Sequence, residues 1–131
     1  MYKLEVHLEK ELVVVQFSGQ VSAEEVLRCI AEFRQVDGYH KNFTGVADFR
    51  AVEIQFGPEG VKAISDFSKG RTAMRGRWCL LADKPFETAM SAIFKSKVAE
   101  QQPLEVFSTI RAASDYLGID LTDLLVAGPR D

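Results

Sequence analysis

Hydrophobic and polar positions along this chain switch between two periods. Tyr2, Leu4, Val6 and Leu8 alternate with Lys3, Glu5 and His7, which predicts a strand with one dry face and one wet face. Glu9-Lys10-Glu11 reads as a polar turn. Leu12 to Phe17 is a second strand, and its run Leu12-Val13-Val14-Val15 is apolar on both faces, as in the middle of a sheet. The short connection makes the two strands an antiparallel hairpin. Ser18-Gly19-Gln20 is expected to break the second strand.

From Ser22 the period lengthens. Ser22 with Glu25 forms a capping box, and Val26, Ile30 and Phe33 then lie on one helical stripe with Leu27 beside it. Gly38 is a C-terminal stop. Phe43 to Phe49 is a third strand. Pro58 sits in the first turn of a second helix, where its missing N–H costs nothing. In that helix Val61, Ile64 and Phe67 are expected to face the core, and Gly70 to end it. Arg77 to Ala82 is a fourth strand. Asp83 or Lys84 then caps a helix that has Pro85 in its first turn and an apolar face of Phe86, Met90, Ile93 and Phe94. Leu104 to Phe107 is a fifth strand. Ser108-Thr109 caps a last helix carrying Ile110, Ala113, Tyr116 and Leu117, with Gly118 as its stop.

Strand–helix–strand repeats within one sheet give parallel strands joined by right-handed crossovers. Strands two to five are therefore expected to be parallel, with the first antiparallel to them. The domain spans residues 1–118. Residues 119–131 form an apolar arm carrying Leu121, Leu124, Leu125 and Val126. Either the core or a partner can receive that arm.

Composition narrows the picture. A chain of 131 residues is one domain and long enough to bury a core. The net charge of −3 argues against a nucleic-acid protein, since phosphate binding needs a basic excess. The apolar runs are too short for a transmembrane helix, and the N-terminus lacks the apolar stretch of a signal peptide. Cys29 and Cys79 sit inside apolar patterns and read as buried thiols of a cytoplasmic protein.

The element order resembles the STAS domain of bacterial anti-sigma-factor antagonists, the SpoIIAA-like superfamily. The resemblance covers residues 2 to 118, and its best local match is Val46-Ala47-Asp48-Phe49-Arg50-Ala51-Val52-Glu53-Ile54 through Gly60. It implies an α/β superhelix of four βα units and a five-stranded mixed sheet with an antiparallel N-terminal strand. Asp48 and Val52 are similar to the family's acidic strand end and its apolar anchor. The antagonists carry a phosphorylatable serine at the following helix start. Here that stretch reads Phe56-Gly57-Pro58-Glu59-Gly60, without a hydroxyl, and Glu59 already supplies the negative charge a helix N-terminus favours. The resemblance therefore implies an uncharacterised STAS-like bacterial protein without the serine switch. A lipid-carrier fold is a more distant neighbour of the same superfold.

Parallel strands put their carboxyl ends on one edge, where α/β sheets bind ligands. That edge collects Ser18 and Gly19, and then the candidate ligand or partner residues Asp48, Arg50, Asp83, Lys84, Ser108 and Thr109. They read first as helix caps and loop anchors, with a polar pocket as the alternative. His7 and His40 have no shared centre, and no catalytic, cofactor or metal motif stands out. Lys69, Arg71, Arg75 and Arg77 form a basic connector on the opposite edge, and Trp78 beside them alternates as a core residue. The expectation is a non-enzymatic module that works through a protein partner and forms a homodimer. The alternative is a carrier of a small apolar ligand or lipid, with a closed pocket of several hundred Å³.

Overall fold

The computed structural model describes residues 1–69 and 74–131. Gly70, the expected helix stop, and Arg71 of the basic run lie outside the described residues. The elements run β1 (Tyr2–His7), β2 (Leu12–Val21), α1 (Ala23–Arg34), β3 (Thr44–Ile54), α2 (Pro58–Ser68), β4 (Trp78–Leu81), α3 (Pro85–Val98), β5 (Leu104–Phe107) and α4 (Ile110–Leu117). They form one five-stranded sheet in the order β1-β2-β3-β4-β5. β1 is antiparallel to β2, and the other pairings are parallel. The α/β mixed sheet and its antiparallel first strand match the expectation.

Because each parallel strand is laid beside the last in one direction, same-handed crossovers put α1, α2 and α3 on one face. Their apolar stripes pack on Val13, Val15, Phe17, Ala47, Trp78 and Leu80. Among the described residues α4 follows β5 and lies on the other face. There it covers Leu12, Val14, Val46, Cys79 and Leu81. The four-residue apolar run of β2 is thus buried on both sides, the reason a continuous Val/Leu run marks a central strand. Residues 119–131 finish the second face. Leu121 and Leu125 are buried in it, and the Leu121 N–H donates to Ser114 Oγ at 3.0 Å.

The caps follow local chemistry. Ser22 accepts from the Glu25 N–H at 3.2 Å, and Thr109 accepts from the Ala112 N–H at 3.2 Å. Gly118 takes the left-handed conformation (φ +70°) and closes α4 with an N–H bond to the Ser114 carbonyl.

Three expectations need correction. Ser18-Gly19-Gln20 does not break β2, which continues to Val21 beside a lengthened β3. The extension is possible because β3 carries one extra residue: Gln16 pairs with Asp48, but Ser18 pairs with Ala51. Phe67 is 41% exposed, because α2 turns the stripe Val61, Ile64, Ser65 and Ser68 inward instead. The two serines are small enough for close approach and donate back to the Lys62 and Ile64 carbonyls. Phe67 instead lies under the Arg34 guanidinium, 5.0 Å from its ring centre. Phe86 is exposed too, because α3 buries Glu87, Met90, Ser91 and Val98.

Candidate functional site

The β3 bulge shapes the carboxyl-end edge. The Arg50 N–H donates to Asp48 Oδ1 at 3.0 Å, so the carboxylate anchors the bulge from within its own strand. The Arg50 side chain then folds back on the same group, with Nε to Oδ1 at 3.1 Å and Nη2 to Oδ2 at 3.0 Å. This is the bidentate arrangement that suits a guanidinium. Its remaining edge, Nη1, donates to Asp131 Oδ2. Asp131 also accepts the Ile110 N–H, at the start of α4, at 2.7 Å and the Gly128 N–H at 2.9 Å. A helix N-terminus favours an anion, and a carboxylate of the chain itself takes that place.

All three charged side chains are buried, which strengthens each interaction. Burial alone would lower the Arg50 pKa, but the hydrogen bonds it donates to Asp48 and Asp131 outweigh it and hold it above the ordinary arginine value. Burial pushes Asp131 up, but the Arg50 side chain and the Gly128 and Ile110 N–H groups outweigh it and hold the carboxyl below the usual range.

Gln16 faces the same side of the sheet one strand over. Its amide donates to the Leu124 carbonyl at 3.4 Å and accepts the Val126 N–H at 3.0 Å. Arg50 Nη2 adds a bond to the Val126 carbonyl at 3.3 Å. The arm is therefore fastened by side chains of two adjacent strands. Between its residues 126–129, the start of β1 and residues 16–18 of β2 lies an open groove of about 500 Å³, reached by Lys3, Asp48, Arg50 and Asp83.

Of the candidate residues, the groove brings Asp48, Arg50 and Asp83 together and leaves Lys84, Ser108 and Thr109 outside it. Lys84 is the N-cap residue of α3 without a side-chain cap, and its Nζ donates to the Val52 carbonyl. Asp83 is exposed and caps nothing, so the reading of it as a helix cap is corrected. Ser108 is exposed, and Thr109 is the cap of α4. Arg50 is committed to its two carboxylates and to the Val126 carbonyl. The chemistry of this constellation is that of a latch. Gln16 and Asp131 were missed from the sequence. Gln16 left one signal, a lone amide after an apolar run; Asp131 left none.

Other candidates resolve simply. His40 Nδ1 accepts the Asn42 N–H at 3.3 Å, which puts the proton on Nε2, 2.8 Å from Glu11. Arg77 donates to the Tyr116 carbonyl at 2.8 Å and lies over that ring. Cys29 and Cys79 are buried free thiols on opposite faces of the sheet. Burial first, then nearby carboxylates, pushes each up to about 12. Among the described residues no cluster of three His, Cys, Asp or Glu side chains is placed to hold a metal. No described helix is long and apolar enough to cross a membrane.

A second feature lies between the sheet and α1–α3. It is a half-open apolar cavity of about 80 Å³, walled by Val15, Ala47, Ile64, Leu80, Met90 and Phe94 among others. Trp78 and Gln102 also line it. No protein-family model matches the chain, and no curated protein matches it either.

Proposed function

We propose that this protein is a non-enzymatic, STAS-like interaction module, lacking the phosphorylatable serine and working in the cytoplasm as a homodimer or with a protein partner. The order of four βα units behind an antiparallel first strand supports the STAS-like reading. The start of α2, where the N-cap is Gly57 and Glu59 occupies the first turn, supports the reading that the serine switch is absent. The observation that carries the interaction reading is β1. Among the described residues it pairs on one side only, with β2, and the exposed side chains of Met1 and Leu8 lie at its two ends. A six-residue edge strand of this kind presents an unpaired row of backbone donors and acceptors, a template for strand addition.

Native mass spectrometry of tag-free protein tests it. A dimer that Leu8→Lys converts to monomer supports the reading. A monomer at all concentrations, with no partner retained in pull-downs, removes it.

The apolar cavity favours a second reading, a binder of a small apolar ligand. At about 80 Å³ the space is far below the several hundred Å³ expected of a lipid carrier, so it suits a ligand of a few heavy atoms. A fixed extra mass on the native protein supports this reading.

A further inference from the structure

Well-packed folds leave few gaps larger than one water molecule, so a half-open space of about 80 Å³ reaching under α1–α3 needs an explanation. By its share of liquid volume, roughly 30 Å³ each, it has room for two or three waters. Its walls are nearly all apolar, however, and a buried water needs two to four polar partners. Ser91, Trp78 and Gln102 break the apolar pattern, and the last two do so in the same way. The indole Nε1 of Trp78 and the amide Nε2 of Gln102 are both buried, and neither has a hydrogen-bond partner among the described residues. Both groups are donors. An unpaired buried donor is costly, and native interiors supply an acceptor for almost all of them.

We propose that this cavity binds a small, neutral, mainly apolar carbonyl compound whose oxygen accepts from Trp78 and Gln102. The inference rests on the second reading above and gives it a ligand class. A carbonyl oxygen has two lone pairs, one for each donor. The ligand is neutral because no Lys, Arg or His lines the cavity, and a carboxylate buried there would lack a counter-charge. It is small because the space is about half of the ~150 Å³ apolar cavity that admits benzene. Binding is non-covalent. The one thiol in the wall, Cys29, is held protonated by burial and by the nearby Glu32 and Glu25, so it offers no thiolate to the carbonyl carbon.

The sole tryptophan supplies its own reporter. The indole N–H signal of Trp78 is followed by ¹⁵N–¹H NMR while the full-length protein is titrated with acetone, the smallest ketone, and separately under xenon. Saturable movement of the indole signal by acetone, weakened roughly three- to tenfold by Gln102→Leu with xenon binding retained, supports the inference; that range is the worth of one neutral hydrogen bond. Xenon binding without an acetone response at the indole, or with one indifferent to Gln102→Leu, overturns the carbonyl inference and leaves the ligand-binding reading standing. If neither guest binds, both fall. Should Gln102→Leu fail to fold, Ala47→Val, which fills the cavity from β3, must abolish the acetone response; its persistence overturns the proposal.

Discussion

Arg50 lies two residues beyond Asp48 on β3 and binds it three times, through its backbone N–H, Nε and Nη2, at 3.0 to 3.1 Å. The carboxylate thereby anchors the strand bulge and orients a guanidinium whose last free edge meets Asp131, 81 residues away. A local turn and a long-range closure share one side chain.

Replacing Arg50 with Met keeps the apolar stem but strands Asp48 and Asp131 as buried charges. Breaking a buried pair from one side costs about 3–5 kcal/mol. A fall of that size in urea-unfolding stability is expected for Arg50→Met. Arg50→Lys recovers only part of it, because an ammonium cannot supply the two-pronged contact. An unchanged unfolding midpoint for Arg50→Met would refute the latch.

The pH dependence of arm docking follows from Asp131. Its carboxyl pKa is held below the ordinary value of 3.8 in the folded protein. Its contribution to stability is therefore full above the unfolded pKa and is lost as pH falls through the folded one. Amide signals of residues 121–131 are expected to report release of the arm only below the normal carboxylate range. Asp131→Asn should flatten that transition, and an identical profile in the variant would show that another group controls it.

Gly45 is predicted to tolerate no side chain. A Cβ there would lie 2.3 Å from Cε2 and Cζ2 of Trp78, so the indole must move. Gly45→Ala should cost about 1–3 kcal/mol, the usual penalty of overpacking. It should also shift the fluorescence of the single tryptophan. Wild-type emission and stability would contradict the close approach.

The arm is expected to stabilise the domain through Leu121. Leu121→Ala removes a side chain buried under α4 and should cost about 2–5 kcal/mol. Val126→Ala, at an exposed position of the same arm, should stay within about 0.5 kcal/mol. Equal effects in thermal unfolding would mean that the arm is not seated as described.

Cys29 and Cys79 are expected to resist a thiol reagent at pH 8, because burial and pKa values of about 12 keep both protonated. Labelling should follow global unfolding in urea. Rapid labelling of native protein would place a thiol at the surface.

The elements and their order were legible because each carries its own period and its own punctuation. Ser22, Pro58, Pro85, Thr109 and Gly118 stand where caps and stops belong, and each acts through neighbours within a few residues. The extension of β2 past Gly19 was not legible, since it depends on an extra residue in β3, a different strand. Phe67 misled for a related reason. A large apolar residue looks like core, and only close packing shows that Ser65 and Ser68 serve the α2 interface better.

The same division runs through the site. Asp48, Arg50 and Asp83 were visible from sequence as polar residues at expected strand ends; β3 in fact runs on to Ile54, but Asp48 pairs with Leu81 at the end of β4, and all three reach one groove. That Asp131 and Gln16 complete the latch was decided only by tertiary structure, through contacts spanning 81 to 110 residues. The cavity beside Trp78 and Gln102 is likewise a property of how three helices settle on a sheet. Periodicity and capping are local physics and can be read along a chain, whereas partners across the fold and the space left between them exist only after packing.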